Sequence, residues 1–203
     1  MKHPLFFGMI VAVACVTTTT AWAADAVVGK PAPDFTATDI DGKTQVLSQL
    51  HGHIVVLEWF NPECPFVKRH YGGNMQQLQG KYTGYGVTWV SIDSSAAGKQ
   101  GFMTPEQAQE FRKSRGAKST AILLDPDGNI GKLYGAKSTP HMFIVNPEGT
   151  LVYAGAIDDH PSADMNDPAP SINYVSHALD ELMQNKPVSI AETPSYGCSV
   201  KYD

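Results

Sequence analysis

Positive charge is in deficit in this sequence: 15 lysines and arginines stand against 20 acidic residues, a formal net charge of -5 over 203 residues. That balance offers no basic field to attract phosphate backbones or anionic lipid, which argues against nucleic-acid binding. The acidic residues are scattered and form no tail, as on an ordinary solvated surface. Low-complexity tracts and internal repeats are missing too, which argues against solenoid and disordered classes. Past the N-terminus no apolar run approaches the ~20 residues that a membrane-spanning helix needs. Cysteine is scarce, at three, so any sulfur chemistry rests on very few positions.

What is present begins with a leader. MKHPLFFGMIVAVACVTTTTAWAADA carries Lys2 at its start, an apolar core from Leu5 to Val16, and Ala21-Trp22-Ala23 before Ala24. This is the layout of a secretory signal peptide occupying 1–23, with cleavage near Ala23 and export to the periplasm or beyond. Lipoprotein processing at Cys15 is the alternative, but Ala12-Val13-Ala14 lacks the large aliphatic residue expected before such a cysteine. Removing Lys2 with the leader makes the mature chain, 24–203, slightly more acidic. Its length suits one domain with a hydrophobic core, and its two remaining cysteines, Cys64 and Cys198, can pair or act together in an oxidising compartment.

The pattern along 24–203 alternates. Phe35–Val46 reads as a hairpin turning at Asp41-Gly42. His53–Phe60, HIVVLEWF, is apolar on both faces, as a central buried strand would be. Pro65 opens a helix that Gly72-Gly73 interrupts and that resumes through Met75, Leu78 and Tyr82. Val87–Asp93 is a second buried strand, and Thr104-Pro105-Glu106-Gln107 is a capping box opening a helix to about Arg115. Ala121–Leu124 is a short strand and Ile130–Tyr134 a brief helix. His141–Val145 and Leu151–Ala154 form a hairpin around Asn146-Pro147-Glu148-Gly149. An amphipathic helix follows from about Ile172 to Gln184. Such an order implies an α/β fold with a mixed sheet covered on both faces.

The chemistry collects around NPECPFVKRHY. Cys64 stands between a strand end and a helix start, where backbone N–H groups and the helix dipole can lower a thiol pKa from ~8.5 toward ~3.5–7.5. The turn-like NPECPF segment is expected to leave it solvent-accessible. Glu58, in the middle of the buried strand, is either a proton carrier with a raised pKa or a structural charge. His70 and His141 are candidate imidazoles near the thiol, although packed or surface histidines are commoner. Thr139-Pro140 is a candidate cis bond that would bring backbone groups beside the sulfur.

These motifs together resemble the thioredoxin superfamily: the strand HIVVLEWF, Cys64-Pro65-Phe66-Val67 in the place of a Cys-x-x-Cys motif, and Thr139-Pro140 before HMFIV. NPECPFVKRHY, GAIDDHP and YGCSVKY are similar to exported redoxins grouped as peroxiredoxin-like or AhpC/TSA. The resemblance implies a thioredoxin-like fold, a central mixed β-sheet flanked by helices with an N-terminal β-hairpin. It also implies a thiol-based oxidoreductase acting on a thiol/disulfide protein or a peroxide and recharged by a thioredoxin-like donor. Cys64 would be the nucleophile, with Thr139, Pro140, Pro65 and Phe66 contacting substrate and no cofactor or resident metal. Val67 replaces the local second thiol, and the Pro-x-x-x-Thr-x-x-Cys spacing of typical peroxiredoxins is absent. Cys198 would then be the resolving thiol if the tail folds back over the site. Two alternatives stay open: a static Cys64–Cys198 disulfide, and a non-catalytic metal- or partner-binding protein using Cys64 with a histidine.

Overall fold

The computed structural model describes residues 26–167 and 172–203; the expected leader, with Cys15, lies outside them. Chain order gives β1 (Thr36–Thr38), β2 (Thr44–Val46), a 3-10 turn (Leu47–Leu50), β3 (Val55–Trp59), α1 (Pro65–His70), α2 (Asn74–Gly84) and β4 (Thr88–Asp93). There follow α3 (Pro105–Arg115), β5 (Ala121–Leu124), α4 (Asn129–Tyr134), β6 (Ser138–Thr139), β7 (His141–Val145), β8 (Leu151–Gly155), α5 (Tyr174–Met183) and β9 (Cys198–Ser199).

Five strands make the main sheet, in the order β5-β4-β3-β7-β8. The strands β3, β4 and β5 run parallel, while β7 is antiparallel to β3 and β8 to β7. Every residue of β3 is buried, as the doubly apolar run HIVVLEWF requires of a central strand. Its side chains alternate between two cores. Val56 and Phe60 join α1, α2, α3 and α5 through Val67, Met75, Phe111 and Leu179. Val55, Leu57 and Trp59 face Phe35, Leu47, Ile130 and Tyr134. The sheet is therefore covered on both faces, and the thioredoxin-like α/β architecture with its N-terminal hairpin is present.

Local chemistry sets the element ends. At α3, Thr104 Oγ1 accepts from the Gln107 N–H and Gln107 Oε1 accepts from the Thr104 N–H, completing the capping box. Gly116, at φ 60°, closes the same helix in the left-handed conformation that glycine adopts cheaply. The helix expected after Pro65 is broken at Gly73, whose φ of 146° no L side chain adopts readily, into α1 and α2.

The end of the chain folds back onto the sheet, as an approach of Cys198 to Cys64 requires. Glu192 bridges β8 at Ala154, β9 pairs antiparallel with β6, the Ala96 N–H donates to the Lys201 carbonyl, and the Tyr202 hydroxyl donates to the Ala136 carbonyl. Residues 192–203 thus form a strap across one end of the sheet. Two-residue strands leave almost no periodic signal, so neither β6 nor β9 is legible in sequence. Among the described residues, no helix is long and apolar enough to cross a membrane.

Removing the cap of α3 tests the local account. Thr104→Ala should cost about 1 kcal/mol in urea denaturation and lower Tm by roughly 2–4 °C.

Candidate active site

Cys64 is the N-cap of α1, held there by Asn61. The Asn61 side-chain carbonyl accepts from the Glu63 N–H at 2.8 Å, its amide donates to the Gln100 carbonyl at 2.9 Å, and its main-chain carbonyl accepts from the Cys64 N–H. This Asx-type turn carries the chain from β3 into α1. The Asn61-Pro62 dipeptide was its sequence signal, although only the fold shows what the turn holds.

The expectation that Cys64 is solvent-accessible does not hold. Its relative exposure is 0%, and it belongs to the core on the α1 side of the sheet. The cover is the strap, which a local reading of NPECPF could not include. Pro65 is exposed at the first helical position, and half-buried Phe66 packs on the Tyr196 ring at 5.8 Å between centroids. Thr139 and Pro140 are joined by a cis peptide bond, and the Cys64 thiol donates to the Thr139 carbonyl at 3.1 Å.

Cys198 lies beside Thr139 and within hydrogen-bonding reach of the Cys64 sulfur. The β6–β9 register pairs Thr139 with Cys198, and Gly197 passes so close that a Cβ there would collide with the Thr139 carbonyl oxygen. The two cysteines that sequence left far apart are brought together, both as free thiols. Their acidities diverge. Burial pushes the Cys64 thiol up, but the Cys198 thiol, the Val67 N–H, the Thr139 side chain and the Cys198 main chain together hold it below its ordinary value. Burial, followed by the Cys64 sulfur's hydrogen bond and charge, pushes Cys198 up to about 11. Part of the lowering comes from the first turn of α1, as expected of a thiol at a helix start, since Val67 is the third residue of that helix; the rest comes from Cys198 and Thr139 on remote segments.

Glu58 is fully buried on β3, on the same face as Val56. Its Oε1 accepts from the Tyr71 hydroxyl at 2.9 Å, and its Oε2 from Gln79 Nε2 at 3.0 Å, Trp89 Nε1 at 2.7 Å and Ser91 Oγ at 2.8 Å. Burial raises its pKa against the opposing pull of those four donors. None of the four belongs to Cys64 or Cys198, so the carboxyl knots β3, β4, α2 and the α1 end together beneath the site.

The histidines separate by face. On β7, His141 points to the opposite core from Cys64, stacking on Phe143 at 4.4 Å, and its Nδ1 accepts from the Lys137 N–H; burial lowers its pKa to about 4. Strand periodicity thus keeps it from the thiol. On the thiol side, His70 is buried and bonded to Tyr196 and Asn74. Among the described residues no group of three or more histidine, cysteine or acidic side chains is placed to hold a metal ion.

This architecture defines a thioredoxin-like fold with a thiol pair at the end of its central strands. Comparison with known proteins takes the assignment further: the sequence profile of the AhpC/TSA family matches residues 28–154, and the chain belongs to that family. It is 26% identical over 124 residues to the thiol-disulfide oxidoreductase ResA of Halalkalibacterium halodurans, a match covering 61% of this chain and 65% of that protein. A crystal structure of an uncharacterized conserved protein from Geobacillus kaustophilus superposes with a TM-score of 0.77 at 29% identity, covering 87% of this chain and 93% of that one. The thioredoxin domain of a thiol-disulfide oxidoreductase from Bacteroides vulgatus, with a TM-score of 0.50 at 18% identity over 63% of this chain and 87% of that one, shares the fold.

Replacing Glu58 by Gln puts two amide hydrogens, where the neutral acid carries one, against a ring of four donors. We expect the urea stability to fall by about 1–3 kcal/mol at pH 4. Because the raised pKa of Glu58 makes its neutral form the stabilising one, wild-type stability from this group is lost as pH rises through the folded pKa. The gap between Glu58→Gln and wild type should therefore narrow by pH 8, as measured by paired urea titrations.

Proposed function

We propose that this protein is a thiol-disulfide oxidoreductase in which Cys64 is the nucleophile and Cys198 the resolving thiol. The observation that carries the reading is the pair of free thiols flanking Thr139, with the acidity of one lowered and of the other raised. The Cys64 thiolate attacks one sulfur of a substrate disulfide, forming a mixed disulfide and releasing the other sulfur as a thiolate. While Cys64 is anionic its charge keeps Cys198 protonated. Once Cys64 is tied into the mixed disulfide that charge is gone, and Cys198 becomes acidic enough to lose its proton. It then attacks the Cys64 sulfur, releasing the substrate as a thiol and leaving a Cys64–Cys198 disulfide. An external dithiol of the thioredoxin type returns both sulfurs to the reduced state by the same exchange.

The relative named ResA supports this class of chemistry, as does the placement of a cysteine-bearing extended segment along Thr139. Thr139 and Pro140 form the edge that receives the substrate segment, with Pro65 and Phe66 on its flank. Glu58, saturated by four donors and without a bond to either sulfur, is assigned to holding the floor of the site and not to carrying protons. The leader at 1–23, cleaved near Ala23, would place this chemistry outside the cytoplasm, where disulfides persist.

Activity in a coupled assay with a thioredoxin-like reductant and a disulfide-bonded protein should be abolished by Cys64→Ser. Cys198→Ser should turn over at least ten times more slowly and accumulate a Cys64 mixed disulfide visible by intact mass. Full activity in Cys64→Ser would overturn the assignment. Hydrogen peroxide offered in place of the disulfide distinguishes the peroxidase branch, in which Cys64 would be oxidised to a sulfenic acid and then condense with Cys198, releasing water.

A further inference from the structure

A nucleophile with no exposed surface cannot meet a protein disulfide, so the cover over Cys64 has to lift. That cover is the segment between two anchors. At one end Thr193 Oγ1 accepts from the Ala156 N–H at 2.9 Å, and at the other Cys198 and Ser199 pair with β6. Between them a single residue, Tyr196, sends its side chain into the α1 face of the molecule, and its ring lies against both Phe66 and His70.

The hydrogen bonds around that ring have a definite direction. Asn74 Nδ2 donates to His70 Nδ1 at 2.9 Å, so the imidazole proton is on Nε2 and is donated to the Tyr196 oxygen at 3.0 Å. The phenol proton is left for Asp158 Oδ1, at 2.5 Å. Asp158 is 1% exposed; its Oδ1 also accepts from the His160 N–H, and its Oδ2 has no partner. With the strap closed, a buried carboxyl depends on one phenol and one main-chain N–H. With the strap lifted, water reaches both oxygens. Closure and opening therefore exchange one set of bonds for another, which is the condition for a device with two usable states.

We infer that Tyr196 is the latch of a displaceable strap, a positioning residue whose hydroxyl, held between Asp158 and His70, sets how often Cys64 is uncovered and how firmly Cys198 is presented to it. The inference rests on the exchange chemistry proposed above, but it concerns a different step. The substrate segment takes the place of residues 196–199 along Thr139 when the latch opens, and the strap returns to bring Cys198 onto the mixed disulfide. Gly197 makes the closed state possible, since its φ of 123° and its contact with the Thr139 carbonyl leave no room for a side chain.

Tyr196→Phe keeps the ring against Phe66 and removes the hydroxyl. In fully reduced full-length protein, alkylation of Cys64 by iodoacetamide, followed by peptide mass spectrometry, should run about tenfold faster than in wild type, a change of about 1.4 kcal/mol in the opening equilibrium. In glutathione redox buffers the Cys64–Cys198 disulfide should be about tenfold easier to reduce, a shift of about 30 mV, because the effective concentration of Cys198 beside Cys64 falls. Gly197→Ala, acting from the main-chain side of the strap, should move both readouts in the same direction and keeps the test alive if the tyrosine variant folds poorly. Unchanged alkylation and an unchanged glutathione equilibrium in these variants would overturn the latch. Failure of wild-type Cys64 to exchange with any disulfide would instead sink the functional reading, and it is measured separately by the absence of a mixed disulfide.

Discussion

Two residues of β6 paired with two residues of β9 hold the site in its observed form. That short ladder sets Cys198 opposite Thr139, while the Cys64 thiol donates to the carbonyl of the same Thr139, so one residue is shared by both cysteines. Much else follows from this sharing. The thiol can be buried because its hydrogen-bonding capacity is met inside the protein. Gly197 has to be a glycine because the main chain approaches the Thr139 carbonyl too closely for a Cβ. The strap has to cross the sheet end because that is where the chain carrying Cys198 can reach β6.

Burial ordinarily makes a thiol less acidic and less reactive, yet here the more deeply buried cysteine is the more acidic of the pair. The reason is the number of donors facing it. Cys64 receives the Cys198 thiol, the Val67 N–H and the Thr139 side chain, whereas Cys198 has burial and a neighbouring negative sulfur against it. Each sulfur is among the groups that set the other's acidity, so the protonation of one thiol depends on that of the other. Beneath them, Glu58 gathers four donors from three chain segments. It provides a polar knot within an otherwise apolar core, and rigidity there fixes where β3 delivers the turn that ends in Cys64.

The family profile ends at residue 154, before α5 and before the strap. The part of the chain shared with the family therefore supplies the sheet, Cys64 and the Thr139-Pro140 edge, and the rest supplies Cys198, Tyr196 and the cover. A local Cys-x-x-Cys motif keeps both thiols on one turn of helix. In this chain Val67 occupies the later position and is buried in the core, and the second sulfur arrives on a remote C-terminal segment paired to β6. Separating the thiols in sequence puts the second one in the layer that buries the first.

The sequence by itself determined the order and type of nearly every regular element, because β3 is apolar on both faces, the Thr104 box names a helix start, and Asn146-Pro147-Glu148-Gly149 names a hairpin. These are signals carried within a few neighbouring residues. It also singled out Cys64, Glu58, Pro140 and Cys198 by residue type and position. What it misjudged was exposure: Cys64 looked open because NPECPF is turn-like, and its cover comes from residues more than a hundred positions away. Tyr196, Asp158 and His70 had no shared local pattern, and His141, a candidate imidazole in sequence, was put on the other face by strand alternation. Only the tertiary structure decided which distant groups share the sulfur's surroundings. Hydrogen bonds and burial between remote segments depend on how the whole chain closes, and no window of sequence contains that information.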